Sequence, residues 1–389
     1  MINKVVYLGY VSLTDKLKED FFFSEVRRNK IEVEYWDLSC IFYGDNNCNK
    51  SSDLDLICIS SFKDFKLRLN DLDLNATFFV STMSYSYRTI YLYYLLLKYD
   101  CKVSFFARGA LPPINYTKRY VLGKLVDIKS YPFYISQIVK SKIALVLKRL
   151  GRVKVYDTIY FAGKKSLEGF CVGYEMDVSK ANIVELNYFD FDKTLKIKED
   201  KRSIGRKYCV FHDEYLPFHP DFEINKTLTV DPTNYYIDLN RFFAEIENTL
   251  KIQVIIAAHP KAINYETINP FGSRKLVFNK TAELCKYSEF SMLHASTSVS
   301  YPIIYKKPII FLTSDSIMKV MFSYSKWIEN FARELGLSPI NINEYDPKVL
   351  NELICNFDLY AKYTSHYLSS MDSDSSLSAD IFVNSLSNI

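Results

Sequence analysis

Four of the five histidines in this 389-residue chain fall in three short motifs between positions 212 and 294. The motifs are His212-Asp213-Glu214-Tyr215 with His219-Pro220-Asp221 close behind, then His259-Pro260-Lys261, then His294-Ala295-Ser296-Thr297-Ser298. An imidazole and an ammonium at the end of a strand suit an anion such as a phosphate. Hydroxyls at a helix start suit the same oxygens, because first-turn N–H groups lack intrahelical partners. An acidic pair upstream suits a group that takes a proton from a hydroxyl. A rival reading makes His212, Asp213, His219 and Asp221 a metal site. Those types bind metals, although Pro217 and Pro220 interrupt the segment. Each motif also has a plain structural reading: a proline-fixed turn, an N-cap or a surface acid pair.

Such groups work only if strands end at them. Val254-Ile255-Ile256-Ala257-Ala258 runs straight into His259, and Phe290–Leu293 into His294. Apolar runs at Tyr208–Phe211, Gln253–Ala257, Leu276–Phe278, Phe290–Leu293 and Pro308–Leu312 read as strands. Helical patterns lie between them at Asn234–Leu250, Thr281–Lys286 and Ser296–Tyr305, the last expected to kink or end early at Pro302. The first half alternates in the same way. Its strand-like runs are Val5–Tyr10, Ile31–Trp36, Leu54–Ser60, Thr77–Ser81, Lys102–Phe106, Val155–Phe161 and Asn182–Leu186. Helices are read at Asp20–Lys30 and Tyr87–Tyr99. The pattern predicts an α/β fold of two Rossmann-like domains facing across a cleft, with ligands at the carboxyl edges of the strands. The domains are expected at 1–195, binding the acceptor, and 205–365, binding the nucleotide. A linker is placed at 193–207, and a tail at 366–389 packs back on the first domain.

Composition narrows the classes. The net charge is only +4, and no nucleic-acid recognition motif is present, so no nucleic-acid partner is expected. The eight cysteines are scattered without a CxxC pair, which argues against a zinc ribbon and for reduced core thiols. No signal-peptide pattern opens the chain, and no run reaches the ~18–20 apolar residues of a membrane span. A cytoplasmic protein is expected, soluble or peripheral on the inner face of the plasma membrane. No G-x-x-x-x-G-K-[ST], G-x-G-x-x-G or G-x-S-x-G occurs, which disfavours a P-loop NTPase, a standard dinucleotide enzyme and an α/β-hydrolase.

Residues 115–154 carry ten Lys or Arg against one acid, Asp127, interleaved with Tyr131, Phe133, Tyr134, Ile143 and Leu147. This suits an interfacial helix on an anionic membrane surface, or else a helical pair with a solvated basic face. In the Arg108-Gly109 turn the glycine permits a positive φ, and the arginine could hold a carboxylate of an acceptor. Asp71-Leu72-Asp73 and Asp190-Phe191-Asp192 read as loop acids.

The ordered set Asp213-Glu214-Tyr215, His259-Pro260 and Ser296-Thr297-Ser298 resembles bacterial GT-B glycosyltransferases that use CMP-activated sugars. These are the sialyltransferases and the Kdo or nonulosonate transferases of capsule and lipopolysaccharide synthesis. Tyr215 departs from the family's acidic motif, where a glycine is common. The resemblance implies Asp213 as catalytic base, or as nucleophile in a retaining variant, and His259 as the group that binds or protonates the donor phosphate. Pro260, Lys261, His294, Ser296, Thr297 and Ser298 would complete the nucleotide site, and Arg108 and Glu214 would face the acceptor. It implies no metal and no resident cofactor, a CMP-sugar as donor substrate, and a surface-glycan or lipid-linked acceptor. Two alternatives stay open: a teichoic-type polyol-phosphate transferase with a CDP-linked donor, and a non-catalytic glycan-assembly partner.

Overall fold

Two parallel sheets share one strand order. In the first, β1 (Lys4–Gly9), β2 (Glu32–Asp37), β3 (Leu56–Cys58), β4 (Thr77–Ser81), β5 (Lys102–Ala107), β6 (Thr158–Phe161) and β7 (Asn182–Glu185) run in the order β3-β2-β1-β4-β5-β6-β7. In the second, β8 (Tyr208–His212), β9 (Gln253–Ala258), β10 (Leu276–Phe278), β11 (Ser291–Leu293), β12 (Ile309–Thr313) and β13 (Ile340–Asn341) run β10-β9-β8-β11-β12-β13. Both repeat the doubly wound order 3-2-1-4-5-6, the first with one strand added. The α/β class and the two Rossmann-type sheets are therefore as expected. The computed structural model describes residues 1–44, 53–113, 131–197, 204–220, 222, 227–369 and 376–388, with the backbone alone at 131–134 and 266.

The strands are apolar because helices cover both sheet faces. Every residue of β4 and of β8 is buried. Gly9 closes β1 where a side chain would not fit: a Cβ there would lie 2.0 Å from the Tyr35 hydroxyl. The described residues divide into two compact units, one from 1–44, 53–110, 131–189, 369 and 376–388, the other from 111–113, 190–197, 204–220, 222 and 227–368.

In the first unit the C-terminal helix Ser378–Leu386 packs on the sheet. The Phe382 ring meets Phe106 at 5.3 Å and Tyr160 at 5.0 Å, and Ser385 Oγ lies 2.7 Å from the Tyr160 hydroxyl. Burying one such phenylalanine contributes about 2–3 kcal/mol. The helix expected at Asp20–Lys30 is instead two short ones, Asp15–Asp20 and Phe23–Arg28. Phe22 breaks them with a left-handed backbone, φ 63°, and its ring packs near Phe106 and Phe382.

Helix Tyr131–Arg149 carries the described part of the basic segment. Lys118, Arg119, Lys124, Asp127 and Lys129 lie outside the described residues. One cation of the segment is not at the surface. The Lys148 ammonium is wholly buried, paired with the buried Asp177 carboxylate and donating to the Val172 carbonyl at 3.0 Å. Among the described residues six cysteines are free thiols, in line with the expectation for most of them, whereas Cys40 is disulfide-bonded.

Candidate functional site

The two central strands of the second sheet are β8 and β11, where the winding reverses and where open α/β sheets bind ligands. Strand β8 ends at His212, so Asp213 and Glu214 leave at this edge. Its neighbours β9 and β11 end at Ala258 and Leu293, which delivers His259 and His294 to the same edge on either side. Adjacent strands lie about 4.8 Å apart, so the three motifs are side by side.

The two acids brace this edge in opposite directions. Asp213 turns towards β9: it accepts the His259 N–H at 3.3 Å, the Tyr215 N–H at 3.1 Å and the Tyr265 hydroxyl at 3.4 Å. Glu214 turns towards β11. One of its oxygens accepts the N–H groups of His294 and Ala295, both at 3.0 Å, and the other accepts the Tyr324 hydroxyl. Burial disfavours the charged carboxylates. It pushes Asp213 up to about 6 and Glu214 up to about 7, and the donated hydrogen bonds only partly offset this. Both oxygens of each acid are therefore engaged, those of Asp213 at the His259 turn and those of Glu214 at the start of the third motif, and Asp213 is the more deeply buried of the two.

The four motif histidines separate into two kinds. His212 and His294 are interior residues. His212 engages Ser298 Oγ at 2.7 Å through Nδ1, and Ser291 Oγ at 3.2 Å and Cys285 Sγ at 3.1 Å through Nε2. His294 donates from Nδ1 to the Leu312 carbonyl at 2.8 Å and lies 3.0 Å from the Tyr235 hydroxyl through Nε2. Loss of water holds both neutral, with pKa values lowered to about 3 and about 4. The His294 ring therefore does not serve a nucleotide, as the sequence had suggested. His212 also drops out of the proposed metal quartet, because both its nitrogens are engaged inside the protein; Asp221 lies outside the described residues.

His259 and His219 are half-buried instead. Pro260 fixes a turn in which the Ala262 N–H reaches the His259 carbonyl at 2.9 Å. The Lys261 N–H donates to His259 Nδ1 at 3.2 Å. A neutral ring that accepts at Nδ1 carries its proton on Nε2, so His259 is a donor at that atom. Its ring lies parallel to Tyr215, with centroids 6.5 Å apart, and edge-to-face with His219 at 5.0 Å. The sequence had placed His219 only in the metal reading. The repeated His-Pro dipeptide, His219-Pro220 and His259-Pro260, was the available signal for this pair. Tyr265 and Tyr324 had no signal in the sequence, where tyrosine is abundant throughout.

Ser296, Thr297 and Ser298 open a short 3-10 turn, Thr297–Val299, before helix Ser300–Ile304. The single helix expected at Ser296–Tyr305 is thus divided, and Pro302 sits in the first turn of the second part, where its missing N–H costs nothing. Ser296 caps the turn, accepting the Ser298 N–H at 3.3 Å and the Ser298 hydroxyl at 2.9 Å. Ser298 is held by His212, whereas Thr297 is exposed. Asp190 lies in helix Phe189–Lys196 rather than in a loop, and it accepts the hydroxyls of Ser300 and Tyr301.

Arg108 belongs to the first unit. Gly109 after it has the expected positive φ, 96°. The guanidinium lies 3.9 Å over the Phe189 ring and 5.4 Å from Phe22, and it donates to the Asp20 carbonyl at 3.3 Å. These contacts pack the guanidinium against the two rings.

No protein-family model and no curated protein matches the sequence. Solved structures align with it at low identity. A variant of the wall teichoic acid polymerase TagF is 13% identical with a TM-score of 0.49, covering 99% of this chain and 88% of that one. Acinetobacter baumannii MurG is 7% identical with a TM-score of 0.47, covering 100% of each chain. MnaA of S. aureus, solved with UDP, is 13% identical with a TM-score of 0.45, covering 94% and 92%.

Proposed function

We propose that the chain is a glycosyltransferase that moves a sugar from a nucleotide-linked donor to a surface-glycan or lipid-linked acceptor. The observation that supports this most is the coupling of Asp213 to the His259 turn at the winding reversal of a Rossmann-type sheet. A carboxylate whose pKa stands near 6 is a better base at neutral pH than an ordinary one. Asp213 would take the proton of the acceptor hydroxyl as that oxygen attacks the sugar carbon. His259 Nε2–H would donate to the departing phosphate. Lys261, Thr297 and the Ser296 hydroxyl would meet the remaining phosphate oxygens. No resident cofactor and no metal enters this scheme.

The donor is proposed to be CMP-linked, carrying sialic acid, Kdo or another nonulosonate, as the order of the three motifs suggests. A thermal-shift series with CMP, CDP, UDP and GDP tests this. CMP should raise the melting temperature most, and a preference for UDP or GDP would remove the CMP assignment. The His219–His259 pair favours a second reading, a teichoic-type polyol-phosphate transferase with a CDP-linked donor, because paired imidazoles suit transfer at a phosphate. Turnover of a CDP-polyol with no turnover of CMP-sugars would select that reading.

A further inference from the structure

Helix Tyr131–Arg149 presents an apolar face that no other described residue of its unit covers. Its inward side is set by Ala144, which is wholly buried, and by the Lys148–Asp177 ion pair. On the opposite side stand Ile135, Ile138, Val139, Ile143 and Val146, with Leu150 just past the helix end. Their spacing is that of one helical stripe. All are exposed, Ile138 at 57% and Leu150 at 65% of their full area. Lys142 and Arg149 rise from the same stripe and are also exposed. A helix that turns its one deeply buried cation inward and its isoleucines outward has its polarity reversed for water.

A second stripe runs beside the first. Tyr87, Tyr91 and Tyr94 share a face of the segment formed by the turn Tyr87–Thr89 and helix Ile90–Lys98, and all three are exposed. The Lys140 ammonium lies 5.9 Å over the Tyr87 ring, and the Tyr85 hydroxyl donates to the Ala144 carbonyl at 2.8 Å, which locks the two segments together. Lys98 and Arg88 add positive charge. Neither segment contains an aspartate or a glutamate.

We propose that this face docks on an anionic lipid membrane surface. Aliphatic residues would enter the acyl boundary, tyrosines would sit at the headgroup level, and Lys140, Lys142 and Arg149 would reach anionic headgroups. A second copy of the chain is a poorer occupant, since a two-fold contact would set this acid-free cationic face against itself. Among the described residues no helix is long and apolar enough to cross a membrane, so the attachment is lateral. The inference rests on the first unit and does not depend on the transfer reaction proposed above.

The test is co-sedimentation of the full chain with vesicles of equal parts phosphatidylglycerol and phosphatidylcholine, and with phosphatidylcholine alone. Binding should require the anionic lipid and be reversed by high salt. Neutralising Lys140, Lys142 and Arg149 together to Gln should weaken it on the order of a hundredfold, at roughly fivefold per charge. Lys148 is left intact, because its loss would strand Asp177. The pair Ile138→Ser and Val146→Ser should also release the protein at an unchanged melting temperature. Equal binding to neutral and anionic vesicles, or to neither, overturns the proposal. So does full binding by the Ile138/Val146 variant, and so does wild-type dimerisation that this variant abolishes.

Discussion

The Asp213 carboxylate accepts the backbone N–H of His259 at 3.3 Å, across the ends of two neighbouring strands. The group proposed to accept a proton and the group proposed to donate one are therefore tied together by this hydrogen bond on top of the strand ladder that sets their register. A change at Asp213 acts on both its own chemistry and the His-Pro turn. Asp213→Asn keeps the shape and can still accept one N–H. It should leave the melting temperature within a few degrees while lowering turnover about 10³-fold, in the range lost with a general base. Full activity in Asp213→Asn would leave the residue a brace for the edge and nothing more.

How far the sequence led is seen in these same motifs. The strand runs and their alternation were legible because buried parallel strands are continuous apolar runs with helices between them, and β8, β9, β11 and β12 lie where that pattern placed them. Which histidine faces inward was not legible. His294 and His259 both follow a strand and both look suited to a phosphate. The difference is made by Tyr235 and the Leu312 carbonyl, which come from distant segments and take both nitrogens of His294. The ring contact of Arg108 was hidden for a similar reason: Phe189, which its guanidinium covers, is 81 positions away in the chain.

The two histidines should accordingly fail in different assays. His294→Ala removes a fully buried ring and leaves the Tyr235 hydroxyl and the Leu312 carbonyl unpaired, at a cost of about 2–4 kcal/mol. It should lower the melting temperature and soluble yield. His259→Ala should retain the wild-type melting curve and lose about 10²-fold in turnover. The reverse pattern would exchange the roles assigned here.

Activity should depend on pH through Asp213. A base works only when deprotonated, so kcat/KM should climb with pH along a limb centred at about 6, where burial places this carboxyl. A limb near 4, the usual carboxylate position, would indicate an ordinary solvated acid in that role.

Glu214 makes a separate prediction for stability. Its folded pKa, about 7, lies above the unfolded value. Between the two, the folded state holds the proton and the unfolded state does not, so this group's contribution falls as pH rises from about 4 to about 7. The amide of Glu214→Gln keeps an oxygen for the His294 and Ala295 N–H groups but does not titrate. The variant should gain stability relative to wild type between pH 5 and pH 8, by on the order of 2 kcal/mol. Thermal melts across that range measure the gain, and a constant difference would mean that the carboxyl titrates normally.

Calorimetric titration of CMP into the wild-type chain and into His259→Ala, at neutral pH and in EDTA, tests the proposed donor site most directly. The account predicts binding to the wild type without added metal, and an affinity at least about tenfold weaker in the variant, as loss of a charge-assisted phosphate contact implies. Equal affinity in the two proteins, or wild-type binding only after Mn²⁺ or Mg²⁺ is restored, would contradict it.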